Sequence, residues 1–149
     1  MKTLKTFLKK HNACSDSSEF AKDLTLEQFL ATCERGDWIL WLFARTNPES
    51  LRELTLAKAH CANTVRHLMT DERSVEAVDV AIAFGEGRAT REELNVVAAD
   101  AVDAFETASA ADAAFASAGA AATKKQNQKQ TADICRKFLP IEIWDQSQF

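Results

Sequence analysis

The side chains of this chain best suited to metal or acid–base chemistry stand close together at His60, Cys61, Arg66 and His67. Residues 60 and 67 are two helical turns apart and share a helix face, but the zinc-binding H-E-x-x-H pattern needs histidines at i and i+4. No carboxylate or nucleophile stands at a motif spacing beside Arg66 and His67. We therefore expect a solvated or partner-facing role for this pair, and no metal site.

The four cysteines, Cys14, Cys33, Cys61 and Cys135, are widely separated, and no C-x-x-C pair is present. In a cytoplasmic protein such cysteines are reduced, and free cysteine is among the most buried residue types. The spacing therefore predicts reduced thiols buried as small hydrophobic side chains.

Sequence motifs for catalysis are missing. The chain contains no G-x-S-x-G, no Walker glycine loop and no H-E-x-x-H. The pattern Gly85-Glu86-Gly87 lacks the third glycine of a dinucleotide fingerprint, and it ends a predicted helix where the fingerprint opens one. We expect a protein that is not an enzyme, with no catalytic residue and no cofactor site.

Length and composition indicate one folded, soluble domain over residues 1–149. Hydrophobic residues make up 46% of the chain and charged residues 27%, as in globular proteins. Residues 1–10 carry four lysines but no apolar segment long enough for a secretory signal, which favours a cytoplasmic location. Four acidic residues between Asp100 and Asp112 interrupt any apolar run of about 20 residues, so a membrane-spanning helix is excluded.

Local signals predict helices throughout the first half of the chain. Thr25 with Gln28 forms a capping box for a helix that should end at Gly36 in a left-handed conformation, with Asp37 capping the next helix. Asn47-Pro48 is a further helix start, with Asn as cap and Pro in the first turn. Core positions expected on the first of these helices are Leu26, Phe29, Leu30 and Cys33.

The second half is dominated by an alanine-rich stretch. Thr90 with Glu93 forms a capping box, and the proline-free run to about residue 122 predicts one long helix. Gly119 and the segment KKQNQKQ (124–130) indicate a polar break. A last helix should end at Pro140, followed by an extended tail anchored by Ile141, Ile143 and Trp144.

Successive helices with short connections predict an all-α fold. The arrangement is either an antiparallel bundle or a short array of helical hairpins, with residues 1–34 as N-terminal helices. Trp38 and Trp41 lie one turn apart on a helix that is apolar on nearly every side. They are either core residues, which we favour, or a recognition surface.

Charge is unevenly distributed along the chain. Between residues 71 and 112, eleven acidic residues stand against three arginines, a net charge of about −8. A short basic stretch spans residues 124–137, but the chain is acidic overall at −4, which disfavours nucleic-acid binding. The acidic stretch is either a solvated face or a docking face for a basic protein partner.

Three segments carry a family resemblance: GDWILWLFARTNP (36–48), the run from LRELTLAKAH to REEL (51–94), and TADICRKFLPIEIW (131–144). Within residues 35–144 the chain resembles the immunity proteins of bacterial polymorphic toxin systems, in particular the fifth numbered group and its relatives. The resemblance implies a cytoplasmic antitoxin that binds a cognate toxin domain and blocks its active site. We place the contact on acidic residues of the 71–112 stretch, Glu72, Glu76, Asp79 and Asp103. The alternative is a helical adaptor or structural protein whose partner is unrelated to toxins.

Overall fold

The computed structural model describes residues 2–68, 72–100 and 121–149. Within these ranges the chain forms eight α-helices and no β-strand, which confirms the all-α fold. Three short 3-10 turns accompany them, at Arg66–Leu68, Ile141–Ile143 and Gln146–Gln148. The helices are α1 (Leu4–Lys10), α2 (Ser15–Ala21), α3 (Leu26–Thr32), α4 (Gly36–Thr46), α5 (Leu51–Asn63), α6 (Glu72–Gly85), α7 (Arg91–Asp100) and α8 (Ala121–Phe138).

Both predicted capping boxes are present. Thr25 Oγ1 accepts the Gln28 backbone N–H at 3.2 Å, and Gln28 Oε1 accepts the Thr25 backbone N–H at 3.0 Å. Thr90 and Glu93 exchange the same two bonds, each at 3.2 Å, at the start of α7. These bonds satisfy N–H groups that have no partner inside the first helical turn.

The hydrophobic core consists of two clusters that meet at α5. The larger cluster draws on α1 to α5, α8 and the C-terminal segment, and it contains every predicted core residue of α3. The smaller one lies among α5, α6 and α7, around Phe84 and Leu94. The largest fully buried side chains are Phe29, Phe43, Ile39, Leu42, Leu139 and Val78.

Gly36 does not end α3, and Asp37 does not cap α4, so both predictions are wrong. Helix α3 ends at Thr32, and Gly36 is the first residue of α4. A Cβ atom on Gly36 would lie 2.6 Å from Thr131 Cβ and 2.7 Å from the Thr131 carbonyl carbon. Glycine is therefore needed because α8 lies so close to α4, and not because of a left-handed turn.

Asn47 is likewise not the cap of α5, which begins at Leu51. Asn47 follows the last residue of α4, and its side chain bonds the C-terminal segment. Its Nδ2 donates to the Ile143 carbonyl at 3.0 Å, and its Oδ1 accepts the Asp145 backbone N–H at 3.2 Å. The residue joins a helix end to a distant segment.

The predicted polar break at 124–130 is also wrong, because α8 runs through it without interruption. Asn127 and Thr131 are buried on the inner face of α8, and Asn127 Nδ2 donates to Thr64 Oγ1 at 2.8 Å. A polar residue therefore belongs to the packed face of this helix. The predicted helix from Thr90 to residue 122 is described only over α7 and the start of α8, and Gly119 lies outside the described residues.

The C-terminal segment is a 3-10 turn and not an extended strand. Trp144 is 4% exposed and donates its Nε1–H to the Leu139 carbonyl at 2.9 Å. Ile141 packs against the larger cluster, whereas the Ile143 side chain is 37% exposed and belongs to neither core cluster. Two of the three predicted anchors are therefore confirmed.

None of the helices in the described ranges combines the length and the apolar character that crossing a membrane requires.

Replacement of Gly36 by alanine tests the close approach of α4 and α8. Helix propensity alone favours Gly36→Ala by up to about 1 kcal/mol. The contact with Thr131 includes backbone atoms that cannot move aside, so we expect a net destabilisation of about 1–3 kcal/mol. Urea unfolding followed by circular dichroism measures the difference. A variant as stable as the parent, or more stable, would contradict the close approach.

Candidate protein-binding surfaces

Helix α6 carries an acidic face formed by Glu72, Glu76 and Asp79. Their spacing of four and three residues places all three on one side of the helix, and all three are exposed. The opposite side is buried against α5 and α7, with which α6 makes most of its contacts. Three of the four predicted partner-binding residues therefore share one surface, and Asp103 lies outside the described residues.

Asp79 differs from the two glutamates because it already has a cationic partner. Arg66 donates to its two carboxylate oxygens at 2.6 and 3.0 Å, a bidentate pair. This hydrogen bonding, together with the positive charge, lowers the pKa of Asp79 below its usual range. Arg66 thus neutralises one end of the acidic face, and Glu72 and Glu76 are its principal charges.

The structure does not bring together the residues that suggested metal chemistry. His60 is half-buried and stacks on Phe138, with ring centroids 4.2 Å apart and planes 6° from parallel. Cys61 lies in the core, and His67 is exposed. Among the described residues no group of three or more histidine, cysteine or acidic side chains is arranged to hold a metal ion.

Three of the four cysteines converge in the core, which the sequence spacing did not reveal. Cys61 Sγ on α5 lies 4.0 Å from Cys135 Sγ on α8, about twice the length of a disulfide bond. Burial raises the pKa of Cys33 to about 11, and the contact with Cys61 together with burial holds the pKa of Cys135 well above its ordinary value. Cys14 is exposed, so the prediction of buried thiols holds for three of the four.

Trp38 and Trp41 lie between the two roles that the sequence left open. Both pack against the larger core cluster, yet both stay half-buried with one face toward the surface. An arginine covers each exposed ring. The guanidinium carbon of Arg35 lies 4.7 Å from the Trp38 ring centroid, and that of Arg45 lies 4.9 Å from the Trp41 ring centroid.

Comparison with known proteins adds no family to this picture. The chain matches no protein-family model, no curated protein and no solved structure.

Thiol reactivity tests the burial of the cysteines. Because the thiolate is the reactive form, the raised pKa values of Cys33 and Cys135 should protect these two thiols, and burial should protect all three core cysteines. We expect Ellman's reagent to modify one thiol of the folded protein quickly, and all four only in denaturant. The Cys14→Ser variant should lose the fast reaction. A second fast thiol in the folded protein would contradict the placement of the core cysteines.

Titration of His60 should make stability depend on pH. Burial lowers the pKa of His60 below its ordinary value of 6.5, so the unfolded chain binds this proton more readily than the folded protein does. The contribution of neutral His60 to the free energy of unfolding is complete above pH 6.5. It is lost as the pH falls through the pKa of His60 in the folded state. Urea midpoints measured between pH 7.5 and 5.5 should fall more steeply for the parent than for His60→Gln. The two proteins differ only at residue 60, so equal slopes would exclude this role of His60.

Proposed function

We propose that this chain is an immunity-type binding protein that neutralises a toxin domain by covering its active site in the cytoplasm. The proposal rests on the resemblance of segments 36–48, 51–94 and 131–144 to immunity proteins of polymorphic toxin systems. Its main physical support is the exposed acidic face of α6, defined by Glu72, Glu76 and Asp79.

The acidic face suits a binding role because its helix is held rigidly from behind. Ala77, Val78, Ala81 and Phe84 on the inner side of α6 are buried. At the end of the helix, Gly85 lies so close to α5 that a Cβ atom there would be 3.0 Å from Leu56 Cα. A surface that is already ordered loses little conformational entropy on binding, so more of the contact energy appears as affinity.

The sign of the charge indicates the kind of partner. Carboxylates clustered on one face attract a basic surface, speed the encounter and disfavour acidic competitors. We therefore expect the toxin domain to be basic around its active site. Nuclease and other nucleic-acid-directed toxins have such surfaces, because their substrate is a polyanion.

The partner is identified by a tagged pull-down from the native host grown with its neighbours, followed by mass spectrometry. Near-stoichiometric recovery of the C-terminal domain of a toxin, above all one encoded beside this gene, would support the proposal. Recovery of housekeeping proteins alone would favour a helical adaptor instead.

Charge reversal on α6 tests the proposed contact. The double variant Glu72→Lys, Glu76→Lys leaves the Asp79–Arg66 pair intact, so its effect reports the field and not a broken ion pair. We expect association with the recovered toxin domain to slow by roughly tenfold at low salt and to become less salt-dependent. Stopped-flow or surface plasmon resonance measures the rate.

The matched control carries the same change in net charge elsewhere on the surface. Glu49 and Glu142 are exposed, on the loop before α5 and on the C-terminal turn. The variant Glu49→Lys, Glu142→Lys should associate at nearly the parental rate. Equal rates for both double variants and the parent would place the contact elsewhere.

A further inference from the structure

A small apolar cleft opens between α4 and the α1–α2 pair. Its floor is formed by the buried side chains of Leu8, Phe29 and Leu42, and the half-buried indoles of Trp38 and Trp41 line it. We call it the tryptophan cleft. Its volume is about 260 Å³, below the roughly 300–1,000 Å³ of sites for cofactors and drug-sized ligands. The size suits a single large side chain.

The apolar surface continues outward from the cleft. Phe20 on α2 is 39% exposed, and its ring centroid lies 5.9 Å from that of Trp38. The same ring lies 5.8 Å from Phe29 on the floor of the cleft. An exposed phenylalanine beside two half-exposed indoles is a composition typical of the centre of protein interfaces.

The two arginines over the indoles differ in how their charge is compensated. Arg35 donates to the carboxylate of Asp37 at 2.9 and 2.7 Å, so its charge is compensated within the chain. Arg45 is exposed and lies over Trp41, and no carboxylate in the described ranges forms an ion pair with it. Arg35 and Asp37 both line the tryptophan cleft, whereas Arg45 stands beside it, over the ring of Trp41.

Arg45 also lines a second recess, together with Lys10, His11, Glu49 and Asp145. Among the described residues, neither of these two acidic side chains forms an ion pair with it. The Arg45 guanidinium is therefore a group suited to bind an incoming carboxylate through two hydrogen bonds.

We propose that the tryptophan cleft is a docking site for a protein segment that presents a large apolar side chain with a carboxylate next to it. The apolar side chain fills the cleft between the indoles, and the carboxylate binds Arg45. This surface is separate from the acidic face of α6. It favours an acidic partner segment, whereas the acidic face favours a basic one. The proposal does not depend on the partner being a toxin.

The test uses two small probes that differ only in charge. N-acetyl-L-phenylalanine carries the apolar group and the carboxylate, and N-acetyl-L-phenylalaninamide lacks the charge. The three indole N–H signals in a nitrogen-15 spectrum report binding, once each is assigned by Trp→Phe substitution. Trp144 serves as an internal reference, because its Nε1–H is buried and bonded to the Leu139 carbonyl.

We expect both probes to shift the Trp38 and Trp41 signals saturably while the Trp144 signal stays fixed. The acid should bind at least threefold more tightly than the amide. Arg45→Gln should abolish this difference, whereas Arg88→Gln, which removes an exposed arginine from the loop after α6, should leave it unchanged. No saturable shift, or a similar shift of Trp144, would overturn the docking site. Equal affinity of the parent for acid and amide would overturn the role of Arg45.

Alkylation provides a second test that requires no change in the cleft residues. Cys14 lies at the cleft and is the exposed cysteine, so N-ethylmaleimide should attach there first. We expect the alkylated protein to lose probe binding at least tenfold. Cys14→Ser treated with the same reagent should bind as the untreated parent does. Unimpaired binding after complete alkylation of Cys14 would place the probes outside the tryptophan cleft.

Discussion

The close approach of α4 and α8 is the constraint on which much of this structure depends. Where Gly36 meets Thr131 the two backbones leave no room for a Cβ atom. Next to this contact, Cys135 directs its thiol toward the Gly36 carbonyl at 3.7 Å, and Cys61 reaches it from α5. Small, slightly polar side chains lie beside the closest approach of the two helices. The convergence of the core thiols is thus a consequence of packing and requires no redox or metal chemistry to explain it.

The sequence predicts the two capping boxes correctly, but it does not predict correctly the roles of single residues that meet distant segments. The Thr25–Gln28 and Thr90–Glu93 boxes are confirmed because each is complete within four residues. The predictions for Gly36 and Asn47 are wrong because both residues contact distant segments. In the sequence alone, a glycine at such a contact cannot be told from a helix terminator, nor an asparagine from a helix cap. Glycine serves a left-handed turn and a close helix contact equally well, and only the position of α8 distinguishes the two.

The candidate binding surfaces likewise have some features that the sequence predicts and others that depend on contacts between distant residues. The acidic face of α6 follows from helical periodicity, so residues 72, 76 and 79 could be grouped from the sequence. The pairing of Asp79 with Arg66 could not be predicted, because it joins α6 to a different element, the 3-10 turn Arg66–Leu68. The tryptophan cleft was visible only as two indoles one turn apart. Its floor combines side chains from α1, α3 and α4, three helices whose packing the sequence does not reveal.

The bonds of Asn47 bear on the order in which the chain is synthesised. Its acceptor, the Ile143 carbonyl, is separated from it by 96 positions along the chain, and the ring of Trp144 covers Phe43 from 5.0 Å. A ribosome releases α4 long before either of these partners exists. Until then the nascent helix keeps an uncovered aromatic face, so the larger core is completed only when the chain reaches Trp144. Contacts between residues so far apart in sequence can form only late, because the loop between them must first be closed.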